Sequence, residues 1–505
     1  MDASVKTPYG KLEGLRTDQG GEAYLGIPYA KPPVGVLRWK PPVKPDLSDK
    51  VVPCKELGYS ALQKLDPVMA ASQRPQSEDC LTLNVWVRNS SKKGLPVMVY
   101  LHGGAYVEGG SSDPLYDGAN FTARNDVVFV TVNYRVNLFG FMNFATVPGG
   151  EKYRESGYLG LMDQVAALEW VRDCIEAFGG DPSNVTLFGE SAGSGSVALL
   201  SVTPAAKGLF QKAICQSGPM QIYNAPEITA PYAEEFLELM GCANMAELAA
   251  KPSDEIMDVF SNTFFERHIH EVSLIFGPTC DGAYVPRKPL QAFKDGAAGD
   301  LKLMIGTNAD EFAYWSLYFQ DIEKEMPLFW HEQSRFHFDG RLDDAVYERA
   351  FAEAHADQEP GPRYLEYTNQ IGFRVGSELM AEYQSHYNDA YLYLFTYASK
   401  LPGKGSCHAI ELPFVMHNIH LSDLEENLTG EVPPEHLADE MADTWAAFAA
   451  KGSPSIEGLP IWPAYESEQR ALMVIGEDGW RVENDATAVD RELLRGAFNC
   501  LLKED

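Results

Sequence analysis

A serine near the middle of the chain stands in a pattern that could make it a nucleophile. The stretch Val185-Thr-Leu-Phe-Gly-Glu-Ser-Ala-Gly-Ser-Gly-Ser contains Gly189-Glu-Ser191-Ala-Gly193, a match to Gly-x-Ser-x-Gly. A β-branched and aromatic run precedes the match and small, helix-compatible residues follow it, which predicts a strand, a sharp turn and a helix. So tight a turn needs glycine on both sides of Ser191. It exposes the hydroxyl, and the helix points its free N–H groups at the reacting atom.

A serine hydroxyl is a weak nucleophile at neutral pH, so it needs a base that is itself oriented by an acid. Behind such an elbow, both groups are expected on loops that follow later strands. The loop after the predicted strand 301–306 carries Asp310 and Glu311, and the residues alone do not choose between them. The loop after the predicted strand 390–396 carries His408, which follows glycines and heads an apolar stretch. We expect this loop to aim the imidazole inward.

A tetrahedral intermediate also needs hydrogen-bond donors for its negatively charged oxygen. The loop His102-Gly103-Gly104-Ala105 directly follows a predicted strand, and no bulky side chain obstructs its backbone N–H groups. The N–H group of Ala192 adds one more donor. Each such donor contributes about 10²–10³ in turnover.

The elements that must position these residues alternate between strands and helices. Continuous apolar runs at 95–101 and 127–133 predict strands that helices cover on both faces. Apolar spacing over 161–178, ending at Gly179-Gly180, predicts an amphipathic helix. Further strands are predicted to start at 185 and to span 212–217, 301–306, 390–396 and 471–475, with a closing helix at 433–452.

This alternation predicts an α/β fold with a central, mostly parallel twisted sheet flanked by helices. We expect one catalytic domain over 1–505. Approximate helical insertions at 220–300 and 312–386 are expected to shape the active-site pocket.

Composition narrows the class of protein. The formal net charge is −31, which disfavours nucleic acid and anionic membranes as partners. Apolar residues make up 45% of the chain, enough for a large core. The sequence shows no secretory signal and no apolar run long enough to span a membrane. The eight cysteines form no Cys-x-x-Cys pair. We expect a cytoplasmic protein, a monomer or homodimer, without a metal site.

The chain resembles the type-B carboxylesterase/cholinesterase family of α/β-hydrolases, and most closely its bacterial branch of para-nitrobenzyl esterases. The motifs that carry the resemblance span almost the whole chain in the family's order: Gly26-Ile-Pro-Tyr-Ala-Lys-Pro-Pro-Val-Gly, Ser77-Glu-Asp-Cys-Leu, the His-Gly-Gly loop, Asn133-Tyr-Arg, Ala177-Phe-Gly-Gly-Asp-Pro, Gly189-Glu-Ser-Ala-Gly, Gln216-Ser-Gly and His408-Ala-Ile-Glu-Leu-Pro-Phe-Val.

The resemblance implies a role for each candidate residue. Ser191 would be the nucleophile, His408 the general base and Glu311 the acid. The other implied residues are the oxyanion donors Gly104, Ala105 and Ala192, the supports near the triad Glu190 and Ser217, and a structural ion pair of Arg38 with Glu78.

The chain departs from the family at three places. Phe312 follows the acid, where the family motif usually has glycine. Cys80 belongs to a family disulfide, but Cys54 stands several positions away from the expected partner, so we predict that Cys80 is reduced. No tryptophan lies between Cys54 and Cys80, which argues against a choline-ester hydrolase.

The resemblance implies a serine carboxylesterase that works through an acyl-enzyme and needs no metal or cofactor. We expect it to hydrolyse small to medium neutral esters of aryl or short-chain acyl type. Aromatic residues near the motifs could line the pocket, although each could also be ordinary core: Tyr106, Phe276, Phe312, Trp315 and Phe373. The alternatives are a serine hydrolase that acts on carbamates, amides or thioesters, and a non-catalytic binding relative.

Overall fold

The computed structural model describes residues 3–46, 50–65, 73–316 and 319–502. The chain forms two compact units. The first comprises 1–187, 203–211 and 223–287, and the second comprises 188–202, 212–222 and 288–505. The ends of the predicted domain 1–505, and residues 317–318 of the second predicted insertion, lie outside the described residues. The single catalytic domain stays a prediction.

The seven strands that the sequence predicts, from 95–101 to 471–475, are all present. In chain order they are β1 Ser4–Thr7, β2 Gly10–Glu13, β3 Leu15–Arg16, β4 Glu22–Pro28, β5 Val51–Pro53, β6 Thr82–Val87, β7 Leu95–Leu101, β8 Val128–Val132, β9 Gly180–Glu190, β10 Lys212–Gln216, β11 Lys302–Asn308, β12 Ala390–Phe395, β13 Ala471–Gly476 and β14 Gly479–Asn484. The strand before Ser191 begins five residues earlier than its apolar run, at Gly180 rather than Val185. The edge strand β14 was not predicted.

The first unit contains a small sheet in the order β1–β2–β5 and a run of strands in the order β9–β7–β8–β6–β4–β3. β7 and β8 are parallel, whereas β6 is antiparallel to both β8 and β4. All five residues of β8 are buried, as expected for a strand covered on both faces. The helices of the first unit are Ala119–Arg124, Asn137–Gly140, Leu159–Cys174, Pro226–Leu239, Met245–Ala249, Ser253–Val259, Phe265–Arg267 and Val272–Ile275, with a π-helical turn at Phe260–Phe264.

The second unit orders its strands β14–β13–β12–β11–β10, and the four from β10 to β13 are parallel. Only β14 is antiparallel to its neighbour among these five. The helices of the second unit are Ala192–Val202, Pro289–Lys294, Ala313–Ser316, Ile322–His337, Asp344–Ala354, Pro360–Asn369, Val375–Ser385, Leu412–Val415, Ser422–Leu424, Glu435–Lys451, Ala488–Leu494 and Asn499–Leu502, with π-helical turns at Gln370–Arg374 and Glu425–Thr429.

The helical predictions agree with the structure. The helix Leu159–Cys174 continues as a 3₁₀ turn to Phe178 and stops at Gly179, whose φ of 89° lies in the left-handed region. The closing helix spans Glu435–Lys451. The described parts of 220–300 and 312–386 consist mainly of helices and loops. No helix of the described chain is long and apolar enough to cross a membrane.

The predicted ion pair of Arg38 with Glu78 is present in the first unit. Arg38 donates from Nη2 to Glu78 Oε1 at 2.5 Å and from Nε to Oε2 at 2.6 Å, a bidentate geometry. Its Nη1 also donates to the carbonyl of Lys251 at 2.6 Å. The two side chains are only 9% and 10% exposed. The pair therefore ties the loop at Arg38 to two distant segments of this unit.

We predict that Glu78→Gln lowers the free energy of unfolding by about 3–5 kcal/mol, because it leaves a nearly buried guanidinium without its counter-ion. The melting temperature measures this change. The exposed pair of Lys92 with Asp126 provides the control, since Asp126→Asn should leave the melting temperature almost unchanged. Equal shifts for the two variants would contradict the prediction.

Candidate active site

Ser191 lies in a sharp turn between β9 and the helix Ala192–Val202. Its φ is 55°, in the left-handed region that serine seldom adopts. Two backbone hydrogen bonds of 2.9 Å hold the turn: Ser191 N donates to Gln216 O, and Gly195 N donates to Ser191 O. A Cβ atom on Gly218 would lie 2.3 Å from the carbonyl oxygen of Ser191, so this neighbour must be glycine. The strand, turn and helix agree with the predicted elbow, and Ser191 is partly exposed.

Glu311 and His408 meet at the ends of neighbouring strands. Glu311 Oε2 lies 2.6 Å from His408 Nδ1, and Glu311 Oε1 accepts a hydrogen bond of 2.7 Å from the backbone N–H of Asn308. Glu311 is 1% exposed and His408 is 6% exposed. Because both carboxylate oxygens are engaged, the acid has one orientation. It presents a hydrogen-bond acceptor to one ring nitrogen, which leaves Nε2 as the nitrogen that can act as the base.

Asp310 has a different task. Its Oδ2 accepts a hydrogen bond of 2.8 Å from the backbone N–H of Ser406, and its own N–H donates to Ser406 O at 2.9 Å. These bonds dock the loop of Glu311 on the loop of His408. Gly405 permits the close approach, since a Cβ atom there would lie 2.5 Å from Asp310 Oδ2. Of the two carboxylates that the residues alone left open, Glu311, and not Asp310, contacts the imidazole.

Glu190 faces the other nitrogen of the imidazole. His408 Nε2 lies 3.2 Å from Glu190 Oε1, but the two atoms are not aligned for a hydrogen bond. Burial alone lowers the pKa of His408, yet the carboxylates of Glu190 and Glu311 outweigh it and raise this pKa above its ordinary value. Burial raises the pKa of Glu190 against the opposing effect of His408. Glu190 and Glu311 therefore stabilise positive charge on His408.

A third buried carboxylate belongs to the site and was not assigned a role from the sequence. Glu411 accepts hydrogen bonds from Asn308 Nδ2 at 2.7 Å and from Gln216 Nε2 at 3.0 Å, and Trp445 Nε1 donates to Gln216 Oε1 at 3.2 Å. Burial, and then Glu311, raise the pKa of Glu411. Glu411 stands three residues after His408 in an apolar stretch. A carboxylate at this position could have been recognised from the sequence as part of the site.

Aromatic rings surround the imidazole. Trp315 and Phe373 lie with ring centroids 5.0 Å and 5.2 Å from that of His408. Tyr314, which was not singled out from the sequence, is 6.4 Å away. Phe312 is 3% exposed and contacts Trp315 and Phe373 at 5.1 Å and 5.5 Å. The structure therefore gathers three of the predicted lining residues into one cluster.

Ser217 and Ala192 flank the nucleophile. Ser217 is fully buried with a φ of 50°, and its N–H donates to Gly306 O at 2.9 Å. Its hydroxyl has no hydrogen-bond partner within the described chain. Ala192 is the first residue of its helix, so its backbone N–H is one of the donors that a helix leaves unpaired at its start.

The other predicted oxyanion donors lie in the first unit. Gly104, Ala105 and Tyr106 follow β7 with φ angles of 102°, 54° and 60°. A Cβ atom on Gly104 would lie 2.4 Å from Glu108 O, so the turn requires glycine. Beneath it, the ring of His102 stacks on that of Tyr134 at 4.2 Å. The oxyanion role of this loop stays a prediction.

Two further predicted lining residues are buried in the first unit. Tyr106 packs against Phe141 with centroids 4.8 Å apart, and Phe276 packs against Phe260 at 5.7 Å. Their part in a substrate pocket stays a prediction.

The cysteine at the family's disulfide position, Cys80, and the nearby Cys54 are both free. Cys54 and Cys80 are buried thiols, as expected from the missing partner position. Burial raises the pKa of Cys54 to about 12, which makes its thiol unreactive at neutral pH. No group of three or more His, Cys, Asp or Glu side chains in the described part of the chain could hold a metal ion.

Comparison with known proteins adds four similarities. The model of a family described as the carboxylesterase family matches residues 1–493. The para-nitrobenzyl esterase of Bacillus subtilis (strain 168) is 37% identical, over 97% of this chain and 98% of that protein. A solved thermophilic PNB esterase superimposes with a TM-score of 0.85 at 35% identity, covering 97% of this chain and 99% of that chain, and a Geobacillus stearothermophilus carboxylesterase does so with a TM-score of 0.84 at 34% identity and the same coverage.

We predict that Glu311→Gln lowers turnover of an aryl ester by about 10⁴-fold, because the amide no longer stabilises the imidazolium or fixes its tautomer. Asp310→Asn should have a mild effect, because Asp310 contacts a backbone N–H rather than the imidazole. Turnover per titrated active site measures both. The reverse ranking would overturn the assignment of the acid.

We predict that kcat/KM falls as the pH drops below the raised pKa of His408, because an imidazolium cannot accept the proton of serine. Glu190→Gln removes a negative charge that favours the imidazolium, so this acid limb should move to lower pH by roughly one unit. The pH profile of kcat/KM measures the shift. Glu332→Gln, which removes a surface carboxylate paired with Arg335, is the control and should leave the limb in place. A limb that stays put in Glu190→Gln contradicts the prediction.

Proposed function

The chain belongs to the carboxylesterase family of α/β-hydrolases and is a carboxylic ester hydrolase, and we propose that it cleaves small to medium neutral esters through an acyl-enzyme on Ser191. The observation that carries this proposal is the hydrogen bond of 2.6 Å between Glu311 and His408. This acid and base belong to the same unit as the turn that exposes Ser191. This grouping supports the assignment of Ser191 as the nucleophile, His408 as the base and Glu311 as the orienting acid.

In the first half of the reaction, Ser191 Oγ attacks the ester carbonyl carbon and His408 Nε2 takes the hydroxyl proton. Glu311 stabilises the imidazolium that forms. When the tetrahedral intermediate collapses, the bond to the alcohol oxygen breaks and His408 returns the proton to that oxygen. The alcohol leaves and Ser191 carries the acyl group.

In the second half, water takes the place of the alcohol. His408 removes a proton from the water as its oxygen attacks the acyl carbon. Collapse of the second intermediate releases the carboxylic acid, and His408 returns the proton to Ser191 Oγ. Both halves use the same imidazole, so Glu311 supports both.

The negative oxygen of each intermediate needs donors that already point at it. We assign the N–H group of Ala192 to this role, because the dipole of its helix also favours negative charge there. For Gly104 and Ala105, the left-handed turn and the family resemblance support the same role.

The surroundings of His408 favour an uncharged substrate. The carboxylate of Glu311 would repel an anionic acyl or alcohol group, since charges interact strongly where water is excluded. The rings of Trp315 and Phe373 offer apolar surface beside the imidazole. Together these features support aryl or short-chain acyl esters as the substrates.

The free cysteines support a cytoplasmic location, because that compartment keeps thiols reduced. Assembly as a monomer or homodimer stays a prediction.

We predict that a fluorophosphonate adds once to the folded protein, at Ser191, because only an activated serine reacts. Intact mass and peptide mapping measure the adduct. Ser191→Ala should give no adduct and should leave at most the residual ~10³–10⁴-fold rate over water that binding and the oxyanion donors supply. Ser201→Ala is the matched control, since its hydroxyl on the same helix donates to Val197 O.

Two results would contradict the proposal. One is a folded wild-type protein that forms no adduct, and the other is an adduct that persists in Ser191→Ala. A panel of matched esters, amides and thioesters then ranks the substrate classes, and we expect the esters to react fastest.

A further inference from the structure

We propose that Asn369 is a positioning residue for the reaction, because both ends of its side-chain amide hold the short loop that presents Glu311 to His408. This inference rests on the proposed function, since it assigns a role in orienting the same acid. Asn369 is the last residue of the helix Pro360–Asn369, far from Glu311 in the sequence, and only 3% of it is exposed.

The contacts bracket the acid. The backbone N–H of Phe312 donates to Asn369 Oδ1 at 2.8 Å, and Asn369 Nδ2 lies 3.5 Å from the carbonyl oxygen of Ala309 as a donor. Ala309 and Phe312 stand on the two sides of Asp310-Glu311. Arg374 strengthens one side, because its Nη2 donates to the same Ala309 oxygen at 2.9 Å. One side-chain amide thus contacts the loop on both sides of the acid, while its Nδ2 also donates to Glu366 Oε2 at 3.3 Å.

A π-helical turn allows Asn369 and Arg374 to reach one carbonyl. They are five positions apart, a spacing that on a regular α-helix would point their side chains about 140° apart. The segment Gln370–Arg374 instead makes a wider turn, in which Val375 N donates to Gln370 O. The wider turn brings residues five apart toward the same face. The irregularity is therefore what aims both side chains at the loop.

Phe312 completes the attachment as an apolar plug. Its ring lies between the loop and the π-helical turn, and it contacts Trp330 with centroids 5.6 Å apart. Gly372 makes room for it, since a Cβ atom there would lie 2.8 Å from Phe312 Cε2. The aromatic residue that replaces the usual glycine after the acid thus has a matching glycine on the helix.

The closing experiment compares Asn369→Leu with wild type. Leucine has a similar size but neither donates nor accepts, so the loop loses its bracket while the space stays filled. We expect turnover of an aryl ester per titrated active site to fall by about 10²-fold, the effect of a displacement near 1 Å, with KM within twofold. The acid limb of kcat/KM should move to lower pH, because Glu311 no longer lies close enough to stabilise the imidazolium.

Thr368→Val is the matched control. Thr368 is the buried neighbour on the same helix, and its hydroxyl donates to Leu365 O. It should keep the wild-type turnover and the wild-type pH limb. A lower melting temperature in Asn369→Leu, with unchanged turnover and an unchanged limb, would show a merely structural role and overturn the inference.

Gly372→Ala tests the same attachment without removing a hydrogen bond. Alanine favours the helix, but its Cβ atom would lie 2.8 Å from Phe312 Cε2 and must displace this ring, so the melting temperature is measured beside turnover. We expect lower turnover and the same shift of the limb, with recovery when Phe312→Leu restores the space. Wild-type turnover in Gly372→Ala would contradict the inference. Labelling of wild-type protein at Ser191 tests the proposed function, whereas these variants test only the role of Asn369. Failure of one can therefore be distinguished from failure of the other.

Discussion

The site depends on one hydrogen bond between loops that leave two neighbouring parallel strands. β11 and β12 run in register from Leu303 opposite Ala390 to Asn308 opposite Phe395, so both strands end at the same edge of the sheet. Loops at that edge can meet without crossing the sheet. The strands also approach closely, since a Cβ atom on Gly306 would lie 2.3 Å from the ring of Tyr393. The register of the sheet thereby decides that the acid reaches the imidazole.

Near this bond, the second unit places three glutamate side chains around an imidazole that is almost fully buried. Glu190, Glu311 and Glu411 are all nearly or fully buried, and each would be costly to ionise alone. Hydrogen bonds from Asn308 hold two of them, one through its backbone and one through its side chain. In the proposed mechanism, the positive charge that develops on His408 is therefore met by groups already in place. This is preorganisation in the electrostatic sense: the charges need not rearrange when the reaction proceeds.

Sequence patterns predict the parts of this arrangement that are local. Glycines around Ser191 and the apolar run before it are enough to predict strand, turn and helix, because tight turns and buried strands restrict residue type. The pairing of Glu311 rather than Asp310 with the imidazole follows from side-chain length and loop docking, and the residues alone left it open. Asn369 could not be found from the sequence, because it acts across a long separation and nothing in a helical segment marks a widened turn.

The π-helical turn has a consequence for how this protein can vary. A turn of this kind holds one residue more than the α-helical path through the same place. Removing one residue of Gln370–Arg374 would therefore restore regular winding and leave the following helix Val375–Ser385 close to its present orientation. Most of that helix is buried, so its packing depends on this orientation being kept. Asn369 and Arg374 would then be four positions apart, a spacing that also places two side chains on one face of an α-helix. The wider turn is thus a local addition to a helix that could be built one residue shorter.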